Sequence, residues 1–156
     1  MPSFIQNIIP KSKEDAICHT LYFDGSYMSK PESTVDKLGE FIEAHIPDGE
    51  GKCSITKMNL HLKNSSGDTI RNADGILYKI FTRPEKFDLE HASFSGFPLS
   101  ETTKSLIPDW IRPQKSLRCF DLEDCVMGAE RLSLILDVLA EKIIANPRVH
   151  HSFTFN

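Results

Sequence analysis

Apolar residues recur with the spacing of a helix over residues 121–146, the longest periodic segment of the chain. Its apolar positions follow the i, i+3, i+4, i+7, i+11 pattern and are Leu132, Ile135, Leu136, Leu139 and Ile143. At roughly 100° per residue these positions merge into one stripe. We therefore expect a long C-terminal helix whose stripe packs on the core.

A second apolar strip lies on another side of the same helix. Met127, Leu134 and Val138 stand about 200 to 240° around the helix from Leu132. Two interpretations are open: another element of the same chain covers the strip, or the strip contacts a partner or a second copy. If the strip is uncovered, Leu134→Glu is expected to abolish association without disturbing the fold.

A shorter N-terminal helix is predicted over residues 33–46. Ser33 has the character of an N-cap with Asp36 three residues on, and Pro47-Asp48-Gly49 ends the segment, as helix start and stop signals do. The amphipathic positions between these signals are Val35, Leu38, Phe41, Ile42 and Ile46.

Alternating or continuous apolar runs predict the strands. These runs cover residues 16–23, 53–63, 76–82, 87–95, 117–120 and 149–155. Three of them follow one another without a helix, which is typical of an α+β fold: a mainly antiparallel sheet with the long C-terminal and the shorter N-terminal helix packed on it. A bulge is expected near Thr56 or Lys57, a short helix is expected to end before Pro108, and no internal repeat is recognised.

Two further segments are candidate contact surfaces. Trp110 lies between two prolines, and it is either a plug over the core or an exposed anchor. Phe4, Ile5 and Ile8 form a short apolar patch near the N-terminus. Residues 1–12 are therefore a possible arm that docks on the body of the protein or on a neighbouring molecule.

Composition and charge narrow the class of protein. At 156 residues with 40% apolar residues, the chain is expected to form a single domain, 1–156, with its own core. The formal charge of −4 is evenly spread, so no specific nucleic-acid binding is predicted. The densest basic patch is Arg112, Lys115 and Arg118. Neither a membrane span nor a signal peptide is recognised, so a cytoplasmic location is expected.

No familiar cofactor or metal pattern is present. The chain has no G-x-G-x-x-G, Walker or G-x-S-x-G sequence, and Cys119 and Cys125 are too far apart for a zinc knuckle. His150 and His151 are adjacent, so a strand would send them to opposite faces. We predict no cofactor and no metal site, although other strand histidines could still meet in space.

No catalytic residue is predicted either. Cys18 and His19 are the closest approach to a thiol with a base, but neighbouring strand residues point to opposite faces. The cysteines are expected to be free thiols in a chain that can stabilise itself by packing. Acids such as Asp121 and Asp124 are expected to stabilise the amino end of the predicted long helix, so they do not indicate a catalytic site.

The order of elements resembles that of rhabdovirus matrix proteins. The segments that carry the resemblance are TLYFDGSYMS, STVDKLGEFIEAHI, ILYKIFT, LEHASFSGFPLS and RVHHSFTFN. The resemblance implies self-association during virion assembly, with contacts to the nucleocapsid. Peripheral contact with the inner membrane, and a location in the host-cell cytoplasm or the virion, are expected only under this resemblance.

Three hypotheses of function follow. The first is a non-enzymatic structural or interaction protein that acts by self-association or by binding a protein partner. The alternative is an immunity or inhibitor protein that neutralises a basic toxin, because acids lie near the long helix. These acids are Asp121, Glu123, Asp124, Glu130 and Glu141. The third hypothesis is a small Cys/His-dependent enzyme.

Overall fold

Five short strands alternate with helices along the chain. A computed structural model describes residues 18–25, 31–62 and 73–155. In chain order the elements are β1 (Thr20–Asp24), α1 (Pro31–Ala44), β2 (Lys57–His61), α2 (Asp74–Phe81), a 3-10 turn (Pro84–Lys86), β3 (His91–Ser95), α3 (Glu101–Ile111), β4 (Cys119–Glu123), α4 (Ala129–Ala145) and β5 (Ser152–Phe155). The strands lie side by side in the order β1-β2-β3-β4-β5, and every adjacent pair is parallel.

The fold is therefore α/β, and the prediction of a mainly antiparallel α+β fold is wrong. The error lies in residues 76–82, which were predicted as a central strand: residues 76–81 belong to α2 and Thr82 caps it. Ile76, Leu77, Ile80 and Phe81 are its buried residues, and their spacing is that of one helix face. A short run that is apolar on both strand faces fits either period. With a helix here, each connection between neighbouring strands contains a helix, as parallel strands require.

Two other boundaries differ from the prediction. The long helix begins at Ala129, because the acidic residues that were assigned to its first turn continue β4 to Glu123. The short helix α3 runs through Pro108 to Ile111. A proline lacks the N–H that would bond to the preceding turn, but the chain tolerates this loss here and Trp110 is helical.

The strands repeat one structural pattern across the sheet. The register aligns apolar residues into two rows that cross the whole sheet. One row is Leu21, Met58, Ala92, Phe120 and Phe153, and the other is Phe23, Leu60, Phe94, Leu122 and Phe155. Neighbouring members of a row are 28 to 37 residues apart in the chain, so each strand and helix form one unit of an array.

A backbone contact just before each strand repeats as well. The carbonyl of His19 accepts hydrogen bonds from the N–H groups of Thr56 and Lys57, at 2.9 and 3.1 Å. The carbonyl of Thr56 accepts from Glu90 and His91 at 2.7 and 3.3 Å, and that of Glu90 accepts from Arg118 and Cys119 at 3.0 and 3.2 Å. The carbonyl of Arg118 accepts from Ser152 alone, at 2.8 Å. A bulge near Thr56 or Lys57 stays a prediction.

All the described helices cover the same face of the sheet. The side chains of both apolar rows turn to that face, and those of β1 to β4 are buried. They share one core with residues of every helix, among them Leu38 of α1, Leu77 of α2, Ile107 of α3 and Leu139 of α4. None of these helices is long and apolar enough to cross a membrane.

The core face of α4 is rotated from the predicted stripe. Ile135, Val138 and Leu139 are buried, whereas Leu136 and Ile143 remain 47% and 44% exposed. The cause is α3, which lies on the Val138 side. Ion pairs join the two helices there: Glu101–Arg131 at 3.0 Å and Glu141–Arg112 at 3.5 Å.

Trp110 is the plug of the core, the first of the two alternatives left open by the sequence. Its side chain is fully buried, with ring centroids 5.1 Å from Phe81 and 6.4 Å from Phe120. Within the described part of the chain, its indole N–H has no acceptor. The ring therefore contributes packing and not a hydrogen bond.

Trp110→Ala is expected to lower the free energy of unfolding by about 3–5 kcal/mol, because it leaves a large cavity. Trp110→Phe should lower it by less, since it keeps an aromatic ring and removes an unpaired donor. Urea unfolding followed by circular dichroism measures both. Leu134→Ala, at a 53% exposed side chain, is the control. Equal effects of Trp110→Ala and Leu134→Ala would contradict the burial of Trp110.

Candidate protein-binding surface

The sheet face that no described helix covers carries the alternate strand side chains, and we call it the open face. Its first row, at the amino ends of the strands, is Thr20, Lys57, His91, Cys119 and Ser152. The middle row is Tyr22, Asn59, Ser93, Asp121 and Thr154. The third row is Asp24, His61, Ser95 and Glu123. Most of these side chains are exposed or half-buried, and Ser95 is buried.

An open face is unusual for a parallel sheet, because most parallel sheets are covered on both faces. Helices about 10 Å wide cannot all stand over strands about 4.8 Å apart unless the sheet bends. A bend of that kind would put the strand face on the inner side. Repeat proteins use such inner faces as extended binding surfaces.

Negative charge gathers toward the carboxyl ends of the strands. Asp24 and Glu123 lie in the third row and Asp121 in the middle row, whereas Lys57, in the first row, is the cation among the open-face residues defined above. Asp121 and Glu123 are two residues apart on β4, so their side chains share a face about 7 Å apart. This half of the open face favours a cationic group.

Asp121 is the residue of the open face whose surroundings are least explained by the fold. Its register neighbours are Ser93 on β3 and Thr154 on β5. The Oδ1 atom is buried, yet within residues 18–25, 31–62 and 73–155 it has no hydrogen-bond partner. A carboxylate oxygen that has lost water without gaining a donor destabilises the fold.

The first row brings a thiol and an imidazole together. His91 and Cys119 are register neighbours, with Lys57 on the other side of His91. In the part of the chain that the structure describes, no hydrogen bond joins His91 to Cys119, and no group of three or more His, Cys, Asp or Glu residues could hold a metal ion. For a Cys/His-dependent enzyme, the third hypothesis, this pair is a candidate.

Cys18 and His19, the thiol and imidazole that are adjacent in the sequence, contact different backbone carbonyls. Cys18 Sγ donates to the carbonyl of Thr20 at 3.2 Å, and His19 Nδ1 lies 3.3 Å from the carbonyl oxygen of Ser54. Burial raises the pKa of the Cys18 thiol, which lowers its reactive thiolate fraction at neutral pH.

All four cysteines are free thiols, as predicted. Burial raises the pKa of the Cys53 and Cys125 thiols as well. Cys119 is half-buried on the open face. It therefore offers a chemical probe of that face, with buried Cys125 as an internal reference.

The basic patch lines a cleft of about 460 Å³ together with Lys142. Two of these four cations, Arg112 and Lys142, already have partners within the fold. Lys142 Nζ donates to the carbonyls of Arg112 and Gln114 at 2.8 and 2.7 Å, and burial lowers the pKa of Lys142. Arg112 pairs with Asp109 at 3.4 Å and with Glu141. These cations offset the negative ends of the carbonyl groups at the carboxyl end of α3. The cleft is therefore a weaker candidate than the open face for binding a partner.

The residues predicted to contact a partner have separate fates. Val138 and Trp110 are buried in the core, so both are withdrawn as contact residues. Leu134 is 53% exposed and Met127 is partly buried against the core; contact through either stays a prediction. Phe4, Ile5 and Ile8, with the arm 1–12, lie outside the described residues.

The acids predicted near the long helix do not form one surface. Asp121 and Glu123 point to the open face, whereas Glu130 and Glu141 lie on α4, and Glu141 pairs with Arg112. Asp124 follows β4 with a φ of 54°. The sequence did not reveal the open face, because its rows exist only once the parallel register is known.

Asp121→Asn is expected to leave the free energy of unfolding unchanged or to raise it by about 1 kcal/mol. The amide keeps the shape of the carboxylate and removes a poorly compensated charge. Asp137→Asn, which removes the same charge from an exposed site on α4, should change stability by less than about 0.5 kcal/mol. Urea unfolding measures both, and a loss of more than about 1 kcal/mol in Asp121→Asn would show that the carboxylate has an internal partner.

Comparison of the chain with protein-family models, with curated proteins and with solved structures finds no match. The resemblance to rhabdovirus matrix proteins rests on element order and stays a hypothesis.

Proposed function

We propose that this protein is a non-enzymatic binding module that holds a protein partner on the open face. The observation that carries the proposal is the one-sided sheet: the described helices lie on one face of five parallel strands. The polar side chains of the open face, which we call the polar grid, lie on the other. The strand backbone sets the positions from which the grid side chains project, so a partner meets a preformed arrangement of side chains. Such preorganisation favours binding because little conformational freedom is lost.

The chemistry of the grid specifies the kind of partner. Asp121 and Glu123 outnumber Lys57, so a segment with arginine or lysine side chains complements the surface. The carboxylates of half-buried Asp121 and exposed Glu123 can accept hydrogen bonds from a guanidinium or ammonium group. Tyr22, 49% exposed at the other end of the middle row, offers an aromatic contact of the kind that dominates many interfaces.

An inhibitor of a basic toxin is the second candidate, and the acidic half of the open face favours it. The partner would then be a folded basic nuclease instead of an extended segment. Association with it would be fast and would weaken steeply with salt.

A peptide library displayed on phage is the probe that tests the proposal. Ligands selected on the wild-type protein are expected to be rich in arginine and lysine. Their affinity for Asp121→Asn/Glu123→Gln should fall by about 10- to 100-fold, since each substitution weakens a hydrogen bond to a charged group. Fluorescence anisotropy of labelled peptides measures the affinity, and bound peptide should slow alkylation of Cys119 but not of Cys125.

The matched control is Glu40→Gln/Asp137→Asn, which removes the same two charges from exposed helix positions. Its affinity for the ligands should stay within about twofold of wild type. Equal weakening in both double variants would mean general attraction to an acidic protein, and the proposal would fail. Ligands that leave the alkylation of Cys119 unchanged would place the binding site elsewhere.

A further inference from the structure

The two ends of the sheet are closed differently. In β1 the apolar residues Leu21 and Phe23 are 1% and 0% exposed. In β5, Phe153 and Phe155 hold the same register rows but are only partly buried. The core is therefore sealed at β1 and open at β5.

The helix next to β5 in the chain, α4, also has incompletely buried apolar residues. Leu136 and Ile143 of α4 are 47% and 44% exposed, on the flank that faces away from α3. Leu134 is also exposed, but two residues correspond to about 200° around a helix, so it lies on nearly the opposite side from Leu136. Leu136, Ile143, Phe153 and Phe155 form one apolar border, which we call the β5 border.

The edge of β5 lacks the usual protection against pairing. Within the described chain it pairs with β4 alone, and Ser152 donates its N–H toward that side, to the carbonyl of Arg118 at 2.8 Å. Because successive residues alternate, the backbone groups of Phe153 and Phe155 point outward. The strand reads Ser-Phe-Thr-Phe, without the charge or proline that usually blocks an exposed edge.

We propose that two copies of this chain associate through their β5 borders about a twofold axis. β5 of one copy pairs antiparallel with β5 of the other, and the Leu136 and Ile143 flanks meet beneath the joined strands. An uncharged strand with an apolar flank is complementary to its own image, which a twofold interface requires. Head-to-tail stacking is disfavoured because the β1 end has no open core to receive β5.

The spacing of the elements suits this arrangement. A right-handed connection puts α4 beneath β4 and β5, so the two α4 helices would lie about two strand spacings apart, roughly 10 Å. Packed helices are separated by about 8–10 Å. The twofold axis is perpendicular to the sheet, so the open faces of both copies lie on the same side of the dimer. Binding at the open faces therefore does not interfere with dimerisation.

Sedimentation of the wild-type protein from about 1 to 100 µM tests the proposal, in the range of moderate self-association. We expect a concentration-dependent dimer. Hydrogen exchange at the amides of Phe153 and Phe155 should slow as the dimer forms. A monomer at every concentration would overturn the proposal and leave the β5 border to another segment or protein.

Paired substitutions on α4 locate the interface. Leu136→Glu should raise the dimer dissociation constant by at least about 30-fold, and Ile143→Lys should do the same. Leu134→Glu, an equivalent change at an exposed leucine on the other flank, should leave the dissociation constant unchanged; circular dichroism confirms the fold of each variant. Dissociation by Leu134→Glu but not by Leu136→Glu would overturn the proposal in favour of the Leu134 strip.

Discussion

The alignment of apolar side chains across the parallel strands is the interaction on which the rest of the structure depends. Two rows, which include Phe23, Leu60, Phe94 and Leu122, turn to one face, and burying them requires helices on that face. Parallel strands can be neighbours only if the helix between them returns the chain to the same end of the sheet. The helical connections and the buried rows therefore depend on each other. The alternate strand residues point to the other side of the sheet and are mostly polar, and they make up the open face.

Much of the local structure could be predicted from the sequence. The helices around Leu38 and Leu139, the apolar faces of β1 and β5 and the free cysteines follow from periodicity and composition. The sheet could not be predicted, because one segment, Ile76 to Phe81, is apolar in a way that fits a strand as well as a helix. Assigning it to a strand removed one crossover, which made antiparallel pairing the natural choice.

The candidate site was less accessible to sequence reasoning than the fold. Asp121 and Cys119 were noticed for the wrong neighbours, a helix terminus and a second cysteine, because strand register decides which side chains meet. His91 and Cys119 are 28 residues apart in the chain and adjacent in the sheet. Likewise, α3 covers Val138 and leaves Leu136 exposed. The apolar pattern of α4 alone does not predict which of these two sides is buried.

The doubled carbonyl contacts have a consequence for how the molecule comes apart. His19, Thr56 and Glu90 each bind two N–H groups of the next unit, whereas Arg118 binds the single N–H of Ser152. The array is a chain of nearest-neighbour links, and its last link is the weakest. Opening should therefore begin at β5 and proceed toward β1, so any molecule that seals the β5 border would slow the unravelling of the whole array.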